Sequence, residues 1–314
     1  MSRRHDACNS NKNSGIGFSL TKQSVALGAR VLVSDIRSSP SFDSFAASNL
    51  SNVLFVQSDV TRWSDFTKLF DSCEKKWSDV PDAYGICAGL FEPPASNFWQ
   101  DPEQDAGYKQ VDVNVDHPIK LTRLAIKKSL GKGKRASVCI IVGLPFLLTH
   151  IVHIKSNHID FGYTRYHSSI GGISSNVAAP LYCATKHAIV GFVKCMSTSE
   201  AFTGVKVTTI CPGLVDTPLL DTQKVEQYSV TKANSLSPDE VATQMLKVIQ
   251  EKKYGCGTVL EVSKAGTRVI PEWNVDPPRG SGTGLEKEEV AAGAKAMLEP
   301  ILKKLESEKR TSKL

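Results

Sequence analysis

Residues 29–35 read Ala29-Arg30-Val31-Leu32-Val33-Ser34-Asp35. A continuous Val-Leu-Val run is the mark of a strand buried on both faces, and the closing Asp35 puts a carboxylate at its end. The pattern recurs on either side. Val53–Gln57, Ala83–Cys87, Ser137–Ile141, Lys206–Cys211 and Thr258–Val262 predict further strands. Helix-spaced segments near 16–28, 62–78, 108–130, 181–202 and 238–252 fall between them. Such alternation predicts an α/β fold, a doubly wound parallel sheet covered by helices on both faces. Nothing repeats internally, and residues 1–314 read as a single domain. Its last part, 263–314, reads as a Gly-, Pro- and Ser-rich loop followed by a charged helical tail interrupted at Pro300.

Composition agrees. The 314 residues are 41% hydrophobic and 22% charged, which excludes a disordered, collagenous or coiled-coil chain. Lys+Arg 38 against Asp+Glu 32 gives +6 with no block of like charge, so no nucleic-acid partner is expected. The eight cysteines form no CxxC pair and read as free thiols in a reducing compartment, not as a disulfide framework or a zinc cage. The first fifteen residues lack the apolar core of a signal peptide. The longest apolar stretch, 138–154, is broken by Gly143, Pro145, His150 and His153, which argues against a membrane span. A cytoplasmic protein is expected.

The chemistry centres on Tyr182-Cys183-Ala184-Thr185-Lys186. On a helix, positions four apart share a face. A Lys ammonium beside a phenol favours the phenolate, making Tyr182 a candidate general acid/base for a carbonyl–alcohol pair. Ser169 lies thirteen residues earlier, ahead of Gly171-Gly172. Its hydroxyl suits a substrate carbonyl oxygen gaining charge. Other features close successive strands: Asp35, Asp59-Val60, Gly89, then Pro212-Gly213 with Val215 and Thr217. An open α/β sheet binds ligands at that edge. Asn114 lies in a helical pattern.

Over about residues 10–262 the chain resembles the short-chain dehydrogenase/reductase family, on Asn114, Ser169, Tyr182 and Lys186 at family spacing. The resemblance implies a Rossmann-like fold and an NAD-dependent oxidoreductase, with NADP the second choice of cofactor, acting on a secondary alcohol or ketone. Tyr182 would be the catalytic acid/base. Lys186 would lower its pKa and hold the nicotinamide ribose; Ser169 would polarise the carbonyl; Asn114 would hold a water relay. Cofactor contacts would come from Ser14, Gly15, Ile16, Gly17, Asp35, Asp59, Val60, Gly89, Tyr182, Lys186, Pro212, Gly213, Val215 and Thr217. Asp35 would favour NAD by repelling a 2′-phosphate. Phe91, Pro93, Pro94, Phe98, Trp99, Leu219 and Leu220 would either wall an apolar small-molecule substrate or pack as core. Wording around Phe91–Trp99, Asn114–Thr122 and Pro180–Phe192 is similar to fungal members of the prostaglandin-dehydrogenase-like branch, tied to secondary metabolism. Family members are commonly homodimers or homotetramers.

Two departures stand against the match. The family's apolar first strand and TGxxxGxG turn become Arg3-Arg4-His5-Asp6-Ala7-Cys8-Asn9 and Ser10-Asn11-Lys12-Asn13-Ser14-Gly15-Ile16-Gly17. Five buried apolar side chains would contribute about 8–15 kcal/mol, and buried unpaired charge opposes folding. The first strand is therefore expected to be missing or frayed. The second departure is an inserted loop, 142–167, just before Ser169, carrying four of the seven histidines. A substrate lid, a metal site at His150–His153 and a retained intron are the competing readings, the last favoured; no metal is assigned. The alternative to an active enzyme is an inactive or unstable relative from a decayed gene or a mis-spliced message.

Overall fold

The computed structural model describes residues 15–91, 98–101, 107–141, 149–153, 171–176, 179–217, 231, 233–272 and 287–311; for 149–153, 287–292 and 294 it describes the backbone alone. Its strands are β1 (Arg30–Asp35), β2 (Val53–Gln57), β3 (Ala83–Ile86), β4 (Ala136–Ile141), β5 (Thr149–His153), β6 (Val205–Pro212), β7 (Val259–Ser263) and β8 (Gly266–Val269). They form one sheet in the order β2-β1-β5-β3-β4-β6-β7-β8. Pairings are parallel except where β5 meets β1 and β3, and where β8 meets β7.

Helices cover both faces, and the four-residue α7 (Glu200–Thr203) precedes β6. On one side α1 (Ile16–Ala26) and α8 (Pro238–Gln250) pack Ile16, Leu20, Val241 and Met245 over Val31, Val33 and Cys139. On the other, α3 (Trp63–Trp77), α5 (His117–Gly131) and α6 (Pro180–Cys195) pack Phe66, Leu121 and Ile189 over Leu32, Val138 and Ile140. The period-2 alternation along β1 and β4 divides each strand between the two layers. Local signals fix the helix starts. At α8 the Ser237 hydroxyl accepts from Glu240 N (3.2 Å) and the Glu240 carboxylate accepts from Ser237 N (2.6 Å), a capping box that satisfies two otherwise orphan donors. The short α2 (Pro40–Ala47), absent from the sequence reading, starts the same way: Ser39 Oγ accepts from Phe42 N, with Pro40 at the first helical position.

The slot for a first strand lies between β1 and β3. Residues 3–9, expected to leave it unfilled, lie outside the described residues. β5, from within the stretch read as an inserted loop, occupies the slot instead. Thr149, His150, Ile151 and Val152 pair with Ser34, Val33, Leu32 and Val31 on one side and with Ile86, Gly85, Tyr84 and Ala83 on the other. Its direction follows from connectivity. β4 ends at Ile141 and β5 begins at Thr149, too short a link for the dozen or more residues of a parallel crossover. The strand therefore starts at the edge where β4 ended and runs antiparallel.

Two details of the tail also differ from the expectation. Residues 266–269 leave the loop and form β8, hairpinned to β7 with an Arg268–Glu261 ion pair. The helix at the end, α9 (Lys287–Thr311), is continuous through Pro300. Proline removes one helical hydrogen bond and crowds the preceding turn, but packing holds the helix here: Leu305 is buried and Glu308 pairs with Arg123 of α5. Among the described residues no helix is long and apolar enough to cross a membrane.

Candidate active site

At the carboxyl edge of the sheet, α6 presents Tyr182 and Lys186, both buried. The Lys186 Nζ lies 5.4 Å from the Tyr182 ring centroid, so the two share one helix face as their spacing requires. Phe91, from the segment after β3, meets the same ring edge-on at 4.8 Å. Gly171 closes another side: a Cβ placed there would sit 2.7 Å from Tyr182 Cε1. Among the described residues no carboxylate pairs with Lys186, and burial pushes its pKa down to about 7, with a smaller opposing effect from Cys211 at the end of β6.

Asn114 lies in a π-turn, Asp112–Asp116, inserted between the short α4 (Lys109–Val111) and α5. Such single-turn bulges frequently mark functional sites. Its Oδ1 accepts from Leu90 N (2.7 Å), and its Nδ2 donates to Leu90 O (2.9 Å) and to Thr185 Oγ1 (3.0 Å). Asn114 thus ties the segment after β3 to α6, one residue from Lys186. Thr185 was not singled out in the sequence; its hydroxyl also donates to Tyr182 O (2.8 Å), locking the turn between the two candidate catalytic residues.

The remaining site candidates line the same edge. Asp35 ends β1, is 6% exposed, and accepts from Arg37 N (3.3 Å). Burial raises its pKa to about 7, against the lowering effect of the Arg37 and Ile36 backbone hydrogen bonds. Asp59 accepts from both Thr61 N (2.9 Å) and Thr61 Oγ1 (2.7 Å). Burial works against its charge, but those bonds prevail and hold it below the usual carboxylate range. Val60 packs with Ala88 and Val113, next to the buried Gly89. Gly15 is the N-cap of α1, followed by Ile16 and Gly17, and neither a capping side chain nor an acid stands in that first turn. Pro212 ends β6, Gly213 N donates to Val262 O (2.7 Å), and Val215 bridges to Leu236. The Thr217 hydroxyl is buried without a hydrogen-bond partner among the described residues.

Ser169 and Ser14 lie outside the described residues, as do Pro93, Pro94, Leu219 and Leu220. Phe98 and Trp99 are exposed and stack edge-on with each other. His150 and His153 fall in β5, whereas an HxxH pair needs helical spacing to converge on one ion. A separate cavity of about 410 Å³ at the opposite edge, lined by Ser137, Lys206 and Tyr254, touches none of these residues.

A family model described as short chain dehydrogenase matches residues 11–144 and 166–228. It resumes only after the segment that supplies β5. A 15-hydroxyprostaglandin dehydrogenase [NAD(+)] of Mus musculus is 27% identical over 138 residues, 39% of this chain and 51% of that protein. The chain thus spans about half the length of that curated relative. The short chain dehydrogenase ausX of Penicillium brasilianum is 24% identical over 278 residues, 82% of this chain and 94% of its own. A crystal structure of 3-ketoacyl-(acyl-carrier-protein) reductase from Brucella melitensis complexed with NADH superposes with a TM-score of 0.60, at 22% identity over 80% of this chain and 93% of the other. That last likeness concerns the fold.

Proposed function

Because this chain belongs to the short-chain dehydrogenase family, we propose that it is a nicotinamide-dinucleotide oxidoreductase interconverting a secondary alcohol and a ketone on a small apolar substrate. The observation that carries the reading is the buried cluster of Tyr182, Lys186, Thr185 and Asn114, with Lys186 5.4 Å over the phenol ring.

In this reading Tyr182 holds the proton exchanged with the substrate oxygen. Lys186, when charged, stabilises the phenolate and favours proton release. Asn114 fixes the depth of α6 against the Leu90 segment, so the phenol keeps its place. Ser169 donates to the substrate oxygen as charge develops there. Phe91 lends the pocket an apolar wall.

The residues at the sheet edge fit a dinucleotide. The uncapped start of α1 at Gly15–Gly17 suits a pyrophosphate. The buried Asp35 carboxylate suits ribose hydroxyls and favours NAD over NADP. Val60 and Gly89 would flank the adenine side, while Pro212, Gly213, Val215 and the Thr217 hydroxyl, which has no hydrogen-bond partner among the described residues, would take the nicotinamide side. The cofactor supplies the hydride chemistry; the chain supplies binding, orientation and the proton path. The fungal relatives make secondary metabolism the setting we favour, in the cytoplasm, with a homodimer or homotetramer as the assembly.

The test is NAD and NADP binding by calorimetry, followed by NADH absorbance on a panel of secondary alcohols, with Tyr182→Phe as control. Dinucleotide binding and turnover that vanishes in the control support the reading. Binding without turnover, or none, favours a non-catalytic relative.

A further inference from the structure

At the amino ends of the parallel strands, the edge opposite Tyr182, three strands begin side by side. Ala83 of β3, Ser137 of β4 and Lys206 of β6 are register partners in one row. Residues paired across strands put their side chains on the same face. Here it is the face under α8, where Ala83, Ile249 and Tyr254 share one core cluster. Between this row and the end of α8 lies the cavity of about 410 Å³, within the range of about 300–1,000 Å³ common for small-molecule sites. Ile249 and Tyr254, both buried, give it an apolar wall.

The charges around this cavity do not cancel. Asp82, Arg135, Glu200, Lys206 and Lys252 line it. Asp82 is paired with Lys134 (2.5 Å) and Glu200 with Arg135 (3.1 Å). Among the described residues no carboxylate pairs with Lys206 or Lys252. Lys206 Nζ donates to Val248 O (2.9 Å) and Glu251 O (3.5 Å) at the end of α8. An ammonium carries three donors, so one is left over. Burial lowers the Lys206 pKa, and Glu200 is the first of the groups that oppose it. In the adjacent register position the Ser137 hydroxyl is buried with no hydrogen-bond partner among the described residues. Capping α8 accounts for two of the lysine's donors, but not for the hydroxyl or the cavity. A buried polar group without a partner calls for one, and a hydroxyl beside an ammonium calls for an anionic acceptor.

We propose that this cavity binds a small amphiphilic carboxylate, a monocarboxylic acid with a short apolar tail. Its two oxygens accept from Lys206 Nζ and Ser137 Oγ, and its apolar body lies against Ile249 and Tyr254. The exposed Lys252 adds positive charge at the rim. The apolar wall favours such an acid over an inorganic anion, because only the acid gains from burying its tail. The site lies across the sheet from Tyr182, and the inference does not rest on the oxidoreductase reading.

The test is calorimetric titration of octanoate into the full chain, with octanol as the uncharged probe. Octanoate should bind, and octanol about tenfold more weakly or worse. Lys206→Met keeps the apolar stem and removes the charge; the octanoate Kd should rise about ten- to a hundredfold. In Ser137→Ala it should rise about threefold. No octanoate binding, or octanol binding as tightly, overturns the proposal. So does an unchanged Kd in either folded variant, which would place the acid elsewhere. Saturating NAD should leave the octanoate Kd unchanged; competition would move the acid to the Tyr182 site and overturn the proposal. If Lys206→Met does not fold because α8 loses its cap, amine acylation of the wild-type chain decides, read by peptide mass spectrometry. Octanoate should slow labelling of Lys206 and Lys252 relative to exposed lysines elsewhere. Labelling of Lys206 that octanoate does not slow overturns the proposal.

Discussion

Gly171 abuts the Tyr182 ring so closely that a methyl group in place of its hydrogen would fall 2.7 Å from Cε1. The ring has little room to yield, because Phe91 meets it from another side at 4.8 Å. Gly171→Ala should therefore shift the phenol by a fraction of an ångström or more. Small misplacements of a reacting group cost about tenfold to a hundredfold in rate. We expect kcat to fall by that order while dinucleotide affinity holds, measured by steady-state kinetics and calorimetry. Unchanged kcat in this variant would show that Tyr182 is not held by that contact.

The Asn114–Thr185 bond gives a second test. Asn114→Ala orphans the N–H of Leu90, leaves its C=O with Gln110 Nε2 alone, and removes the donor to Thr185. Each half-buried group so orphaned costs about 1–3 kcal/mol, less where water replaces the lost partner. Thr185→Val keeps the volume and loses both the acceptor for Asn114 and the donor to Tyr182 O. In urea unfolding the pair should be non-additive, with a coupling of about 0.5–3 kcal/mol. Simple additivity would mean that the two helices are held together by other contacts.

Lys186 makes a prediction about stability as well as activity. Its folded pKa is about 7 against an ordinary 10.5. Between those values the unfolded chain holds a proton that the folded chain does not, so stability rises with pH across that window. Below about pH 7 the burial penalty of the charge is fully present. Lys186→Met should thus abolish turnover yet unfold at higher urea than wild type at pH 7, with the gap closing toward pH 10. A variant less stable than wild type at pH 7 would mean that Lys186 has a strong partner in the folded chain.

What was legible in the sequence divides along physical lines. Strands such as Val31–Val33 and Val138–Ile141 were readable because a buried parallel strand must be apolar on both faces, and that demand is local. Tyr182 and Lys186 were readable because a helical face is fixed by spacing alone. Thr185 was not: a threonine inside a helical pattern looks like an ordinary surface residue until the neighbouring helix is placed. α2 could have been found from Ser39-Pro40, a capping pair before an apolar run. β5 could not, because its two partners lie more than sixty and more than a hundred residues away and nothing in Thr149–His153 itself says which edge it joins.

That strand carries the last prediction. As sequence, 142–167 invited removal as an intron-like insertion. As structure, its residues 149–153 bridge β1 to β3, and without them the sheet has two unpaired central edges at Val31–Ser34 and Ala83–Ile86. Unpaired buried backbone groups are among the least tolerated defects in a fold. Deleting 142–167 should therefore abolish cooperative unfolding in urea, followed by circular dichroism. Ile151→Pro should act in the same direction, because it breaks the ladder in the middle of a central strand. If the deleted chain instead unfolds cooperatively at equal or higher urea, another segment fills the slot, and the insertion is dispensable to the fold.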